Sequence, residues 1–311
     1  MDDLVVLVGP TASGKTAMGV ELAERVGGEV VSADAFAVYR GLDIGTAKPD
    51  PAMRARVRHH LIDVADPRSR YSAGMFVRDA DAAIREIRGR GRRPIVVGGT
   101  HFYVRALLHG LFAEPAKDDA LREELERLWE RDPAAVRARL AALDPEAAAR
   151  ILPNDRQRVL RALEVCVVSG RPLTALWREQ GRREARYRTV QLGLGPPRAE
   201  LHATIAMRVE KMFAAGLMRE VEGLLAGGLA PTVHALKAIG YRESCRVLAG
   251  SLTLLEAVEE AKAATRQLAK RQMTWLRAET EVRWLTGQRE EALAEAVARV
   301  EGRGGTGSGA V

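Results

Sequence analysis

Gly9, Gly14, Lys15 and Thr16 fill the spacing G-x-x-x-x-G-K-[ST] within GPTASGKT, and those residue types at that spacing bind phosphate. Glycines let successive backbone N–H groups turn inward as an anion nest, and a following helix N-terminus adds partial positive charge. Lys15 brings a mobile full charge, and the Thr16 hydroxyl can ligate the Mg²⁺ that accompanies a diphosphate. The motif requires a strand before it and a helix after it. Leu4 to Val8 is a short apolar run rich in valine, and Val20, Leu22, Ala23 and Val26 recur at helical spacing beyond Thr16, so the context is met. A glycine turn that only caps a helix is the plainer alternative, and the context counts against it.

Transfer or hydrolysis of a nucleotide γ-phosphate usually draws on a carboxylate at the end of a neighbouring strand. The strand expected at Pro94 to Val97 ends instead in Gly98, Gly99 and Thr100. The nearest strand-end acid is Asp34, closing EVVSAD (Glu29 to Asp34). The loop is therefore suited to holding a diphosphate without an ATPase apparatus. On residue type alone, Asp34 reads equally as a turn aspartate and Thr100 as a helix cap.

The elements that position these residues follow from periodicity and punctuation. HHLIDV (His59 to Val64) is a short strand candidate, and GLDIGTAKPD (Gly41 to Asp50) is loop. Ser72 is suited to cap a helix from Ala73 to Ile87, which stops at Gly89, Gly91 and Pro94. RPIVVGGT (Arg93 to Thr100) is a buried strand, followed by a helix from about His101 to Leu108. Such alternation predicts an α/β fold: a P-loop NTPase-like, mainly parallel sheet flanked by helices. From about Ala116 amphipathic helices follow one another between Pro and Asp, with no strand. This predicts an all-helical insertion over residues 116–188, between two parts of one core, 1–115 and 189–311. TVQLGLG (Thr189 to Gly195) restores the sheet, a helix is expected from Glu200 to Leu225 and another from Leu252 to Arg277, and EVRWLTG is the last strand. The tail EGRGGTGSGAV is low in complexity and expected to be disordered.

Over 311 residues the formal charge is +7 and the pI about 9.7, which suits a polyanionic partner such as RNA or merely an arginine-rich composition. Cys166 and Cys245 are far apart within helical patterns and are expected as buried free thiols. No apolar run is long enough to span a bilayer and no signal peptide is evident, so a soluble, cytoplasmic protein is expected.

GPTASGKT, SADAFAVYRGLDIGTAKP, HHLIDVADP, YSAGMF, VVGGTHFYVRALLHGL, PNDRQRVLRALEV, KAIGYRE and TRQLAKRQMTWLR occur in this order between Leu4 and Leu285. Together they resemble the tRNA dimethylallyltransferase (tRNA isopentenyltransferase) family of bacterial type. The resemblance implies transfer of a dimethylallyl group from dimethylallyl diphosphate to N6 of adenosine 37, beside the anticodon of tRNAs reading codons that begin with U. It makes Gly9, Pro10, Thr11, Ala12, Ser13, Gly14, Lys15 and Thr16 the diphosphate site, with Mg²⁺ at Thr16. Asp34 matches the family's general base, Thr100 a position near the substrates, and Arg208 an arginine that neutralises the diphosphate.

The resemblance also implies that the anticodon stem-loop meets Asp34, Ala35, Phe36, Ala37, Thr100 and Arg122. Further contacts are implied at Gln157, Arg158, Val159, Leu160 and Arg161, and at Lys237, Ala238, Ile239, Gly240, Tyr241 and Arg242 in a turn. The last set is Lys270, Arg271, Gln272, Met273, Thr274, Trp275, Leu276 and Arg277 on a basic helix. Read by charge alone, that helix and Arg208 are solvated faces. Many members carry Ser at Ala35 and Gln at Ala37, so side-chain reading of the adenine at Ala37 is lost here. The six histidines and two cysteines lack metal-ligand spacing, so no zinc is expected, and a monomer is. Three rivals remain: an adenylate isopentenyltransferase acting on AMP, a P-loop small-molecule kinase, and an RNA-binding module with a vestigial loop. The helical insertion and basic helix disfavour the first, the missing strand-end acid the second, and the intact loop with Asp34 the third.

Overall fold

The structure is a computed structural model that describes residues 3–111, 118–180 and 185–302. In chain order the core begins with β1 (Leu4–Val8), α1 (Lys15–Val26), β2 (Gly28–Ser32), α2 (Pro51–Arg56), β3 (His59–His60), α3 (Ala73–Gly89), β4 (Arg93–Gly98) and α4 (His101–His109). Five helices follow: α5 (Asp119–Arg131), α6 (Pro133–Leu143), α7 (Pro145–Arg150), α8 (Arg156–Ser169) and α9 (Leu173–Gln180). The chain then forms β5 (Thr189–Leu194), α10 (Arg198–Ala214), α11 (Leu217–Ala226), α12 (Tyr241–Leu248), α13 (Leu254–Arg277), β6 (Arg283–Leu285) and α14 (Arg289–Val300).

The six strands make one parallel sheet in the order β3-β2-β4-β1-β5-β6. Period-2 alternation sends Val5, Leu7, Val30, Ile95, Val97 and Leu192 to one face, against Met18 and Leu22 of α1 and Leu293 of α14. Each such buried side chain contributes about 1.5–3 kcal/mol of transfer free energy. Because all strands run one way, the segments after β1, β2, β4 and β5 emerge along a single edge, the edge at which open α/β sheets take ligands.

The backbone divides into two compact units, one of Met1–Leu107 with Tyr187–Val311, the other of Leu108–Arg186. The second unit has no strand among its described residues. Four of its five described helices open on aspartates whose carboxylates accept backbone N–H groups: Asp118 from Leu121, Asp132 from Ala135, Asp144 from Ala147 and Asp155 from Arg158. Pro133 and Pro145 follow two of these caps, where a missing N–H loses nothing. Leu125, Val136, Leu140, Val159 and Leu163 close its core. The expected boundary near Ala116 falls in 112–117, outside the described residues, as does the tail 303–311.

Several elements differ from the expected spans. β2 ends at Ser32, so Asp34 stands two residues beyond the strand. β3 has two residues, because Leu61 and Asp63 take positive φ (61° and 60°) and turn the chain away from the sheet. The helix expected from Glu200 to Leu225 is two helices, broken at Gly216 (φ 104°). Thr253 caps α13 in a capping box with Glu256, which sets its start at Leu254. α14 was not anticipated as a helix, and α12 only as the helical pattern around Cys245. Cys166 is buried and Cys245 half-buried, both unpaired.

Candidate active site

The phosphate loop leaves β1 at Gly9 and enters α1 at Lys15. Ala12 and Gly14 take left-handed φ (64° and 81°), and such alternation turns successive N–H groups to one side. A Cβ on Gly9 would lie 2.9 Å from the Leu194 carbonyl oxygen, so only glycine lets the loop pass β5. Ser13 Oγ is buried and has no hydrogen-bond partner. Lys15 Nζ donates to the Pro10 carbonyl at 3.1 Å. Burial, together with the Arg208 cation and against the pull of Asp34, brings the Lys15 pKa down to about 8. Burial also lowers the Arg208 pKa, and Asp34 again opposes. Lys15, Arg208 and Asp34 thus share one electrostatic site, although they come from α1, α10 and the segment after β2. Neither Lys15 nor Arg208 forms an ion pair among the described residues.

Asp34 anchors its own turn: Oδ1 accepts from Phe36 N at 2.9 Å and Ala37 N at 3.1 Å. The turn-aspartate geometry is therefore real, and it fixes the carboxylate while these bonds leave Oδ2 aside. Thr100 Oγ1 accepts from Ala35 N at 3.1 Å, which ties the β4–α4 turn to the Asp34 turn. Gln272 of α13 bridges the other way, Oε1 accepting from Thr11 N and Nε2 donating to the Gly99 carbonyl, both at 2.8 Å. Phe36 stacks on His234 (centroids 5.8 Å apart, 11° between planes). The Ala37 methyl is buried, so neither hydrogen-bonding capacity nor exposure is available to it.

The remaining predicted contacts divide by exposure. On α13, Lys270, Arg271, Thr274, Trp275 and Arg277 are exposed, Gln272 and Met273 are half-buried, and Leu276 is buried. Trp275 stacks on His101 (5.5 Å, 23°), whose Nε2 shares a 2.9 Å hydrogen bond with Glu279. Lys237 and Arg242 are exposed, Ile239 is half-buried, and Ala238, Gly240 and Tyr241 are buried. Tyr241 accepts from Gly45 N at 3.1 Å and donates to Glu220, which also accepts from Ile44 N at 2.9 Å. It therefore holds the 41–50 loop and has no surface to offer RNA. In the helical unit Gln157 and Arg158 are exposed, whereas Val159 and Leu160 belong to the core and their side chains cannot reach a ligand. Arg122 and Arg161 both pair with the buried Glu164, at 3.4 Å and 2.9 Å.

Sequence reasoning missed the supports of the site. Lys48 is buried and joins Asp43, Asp63 and the Tyr39 carbonyl, and burial of so basic a residue has no signature in a loop rich in Gly and Asp. No group of three or more His, Cys, Asp or Glu side chains among the described residues is arranged to hold a metal ion. Nor is any described helix long and apolar enough to cross a membrane.

The family model described as IPP transferase matches residues 37–279, and the one described as isopentenyl transferase matches residues 2–66. The tRNA dimethylallyltransferase of Anaeromyxobacter dehalogenans is 51% identical over 94% of this chain and 98% of that one. The crystal structure of a tRNA isopentenylpyrophosphate transferase from Bacillus halodurans superposes with a TM-score of 0.73 at 38% identity, covering 97% of each chain. A eukaryotic dimethylallyltransferase acting on tRNA superposes with a TM-score of 0.81 at 26% identity, covering 97% of this chain and 80% of that one. With a phosphate loop, a carboxylate and two half-buried cations gathered at one sheet edge, and with relatives alike over nearly the whole length, the chain belongs to the IPP transferase family, the tRNA dimethylallyltransferases.

Proposed function

We propose that this enzyme transfers the dimethylallyl group of dimethylallyl diphosphate to N6 of adenosine 37 in tRNAs that read codons beginning with U, in the cytoplasm. The observation that carries the reading is the convergence of Lys15, Arg208 and Asp34: two half-buried, desolvated cations without ion-pair partners among the described residues beside a phosphate loop, and one carboxylate within their field. Buried cations left unpaired are unfavourable unless an anion completes them. A diphosphate has the charge to do so.

In the transfer, the bond from the allylic carbon to the diphosphate oxygen breaks and the carbon–N6 bond forms. The diphosphate leaves with the electron pair, and N6 gives up a proton. The loop N–H groups, Lys15 and Arg208 stabilise the growing negative charge, an effect worth several kcal/mol in a water-poor site. Asp34 accepts the N6 proton; the N–H bonds of Phe36 and Ala37 orient its carboxylate for this. Thr100 holds the Asp34 turn, and its hydroxyl hydrogen is left to donate toward the substrates. The Thr16 hydroxyl and the buried, unpartnered Ser13 Oγ would hold a Mg²⁺ ion accompanying the diphosphate. When bound, that ion would neutralise part of the leaving group's charge.

The target adenine must leave the anticodon-loop stack to reach Asp34. Exposed Lys270, Arg271 and Arg277 are suited to phosphate contacts, and Trp275, half exposed on His101, to base stacking. Within the helical unit, Gln157 and Arg158 are the contacts with free surface. The test is to incubate the enzyme with labelled dimethylallyl diphosphate, Mg²⁺ and either tRNA or AMP. Label is expected in tRNA at a single adenosine; label in AMP alone, or consumption of ATP in place of the prenyl donor, would overturn the reading. Binding to tRNA is expected to fall steeply with salt, as phosphate contacts require.

A further inference from the structure

Gln272 lies within the segment expected to contact tRNA, yet its side chain points to a different task. Its neighbours Lys270, Arg271, Thr274 and Trp275 are exposed, while Gln272 is half-buried with both ends of its carboxamide engaged. One end takes the Thr11 N–H of the phosphate loop; the other reaches the Gly99 carbonyl. A Cβ at Gly99 would come within 2.6 Å of Gln272 Nε2 and 3.2 Å of the Gly9 carbonyl oxygen, so the glycine is what admits the amide. From Gly99 the path continues through the Thr100 hydroxyl to Ala35 N, and so to the turn in which Asp34 is fixed. Three hydrogen bonds of 2.8, 2.8 and 3.1 Å therefore join the diphosphate loop to the turn that carries the base, and the middle link belongs to a helix whose outer face is basic.

The geometry points to Gln272 as a positioning residue that couples RNA binding on the exposed face of α13 to the donor site, not as an RNA contact. This rests on the transfer proposed above. Any rotation or shift of α13 on binding RNA moves the carboxamide, and with it the phosphate loop and the Gly99–Thr100 turn together. Ligand at either end then favours the same setting of the brace, so each should tighten the other by the same factor.

The experiment uses the full-length enzyme and two variants. Gln272→Met keeps the length of the side chain and removes both bonds; Gln272→Glu keeps the acceptor for Thr11 but loses the donor to Gly99. Affinity for tRNA is measured with and without Mg²⁺-pyrophosphate, and affinity for pyrophosphate with and without tRNA. In the wild type each ligand is expected to strengthen the other several-fold. In Gln272→Met that factor should fall to about one and kcat by about tenfold, while each separate affinity stays within about threefold. Gln272→Glu should lose the coupling as well, with pyrophosphate binding weakened further by the added charge, and it serves if the Met variant fails to fold.

Coupling retained in a folded variant, or absent from the wild type, would overturn the proposal. So would loss of both separate affinities together with a lowered melting temperature, which is what a purely structural brace would give. A wild-type enzyme that leaves tRNA unlabelled would instead overturn the proposed transfer, so the two failures are distinguishable.

Discussion

Charge withdrawn from water is handled in opposite ways around Glu164 of the helical unit and around Lys15 of the phosphate loop. In the helical unit Glu164 is nearly inaccessible, and Arg122 and Arg161 both close on it. At the phosphate loop Lys15 and Arg208 are half-buried and form no ion pair among the described residues, and Asp34 only moderates them. In the first the protein supplies the counter-charge, both arginines meeting Oε2 while Oε1 is left without a hydrogen-bond partner. The second is short of negative charge, and its field converges on a loop whose N–H groups also seek an anion. Burial of a charged residue is thus no guide to function by itself; what matters is whether the protein supplies the counter-charge or leaves it to a substrate.

The largest effect should come from Asp34, the carboxylate that acts on both Lys15 and Arg208. Asp34→Asn keeps an oxygen to accept from Phe36 and Ala37, so the turn should survive and tRNA binding with it. Loss of the proton acceptor should lower turnover by ~10²–10⁴. Single-turnover prenylation at saturating substrates measures this, and near-normal rates would remove Asp34 from the mechanism. Asp34→Ala should lose as much turnover and some stability besides.

Lys15→Met should reduce turnover by ~10²–10³, in the range for removing one stabilising donor from a transition-state site. The same change should make the ligand-free protein more stable. Lys15 titrates near 8 in the fold against 10.5 when unfolded, so the unfolded chain binds more protons between those values. Stability should therefore rise as pH goes from about 8 to 10.5, and below 8 the buried cation weakens the fold by ~1–3 kcal/mol. Denaturant unfolding at pH 7 should find the Met variant more stable by that amount; a less stable variant would mean that Lys15 is already neutralised. In the wild type, kcat/KM for the prenyl donor should be level below pH 8 and fall about tenfold per unit above it, as Lys15 loses its proton.

Glu164→Ala tests the other half of the contrast. Removing the carboxylate takes a buried partner from two arginines that are partly exposed (30% and 22% of their side-chain surface), of which Arg122 keeps Glu126, so the loss should be ~1–2 kcal/mol, below the range for a broken buried pair. Urea unfolding measures it. A neutral or stabilising result would show that Glu164 is held at a loss, like Lys15, and would erase the distinction between the two sites.

The phosphate loop, the parallel sheet and the helical run were legible in the sequence because each rests on local pattern: glycine spacing, apolar runs, and Asp-Pro punctuation. What escaped was non-local. Arg208, which only the family resemblance placed at the site, lies about 190 residues from the loop and by charge alone reads as a solvated helix position until α10 packs on α13 through Ile205 and Ala269. Gln272 reads as part of a basic RNA face because nothing in its neighbours announces that Thr11 and Gly99 will meet its amide. Tyr241 was expected in the same kind of contact, and its burial against Gly45 and Glu220 depends on two loops far apart in sequence. The lost half of β3 has a different cause. HHLIDV has strand-like residues, but Asp63 is drawn into the Lys48 and Arg54 cluster, and the left-handed turn that this takes outweighs propensity.

A last contrast concerns backbone strain. Among the described residues the non-glycine positions with positive φ are Ala12, Ala47, Leu61 and Asp63, and all four lie in the sheet unit. Ala12 sits inside the phosphate loop at φ 64°, a conformation that opposes its Cβ by roughly 1–2 kcal/mol. Ala12→Gly removes that penalty, but it frees the unfolded chain by ~0.5–1 kcal/mol and gives up a methyl packed against the α10–α13 cluster. The net gain in stability should be small, about 0.5 kcal/mol. If the strained alanine serves to hold the nest rigid, the more stable glycine variant should bind pyrophosphate about two- to threefold more weakly, because the ligand must then order the loop itself. Thermal unfolding and pyrophosphate titration on the same sample decide this. Tighter binding in the variant would mean that the strain hinders the site, and a loss of stability beyond about 1 kcal/mol would mean that the methyl's packing outweighs it.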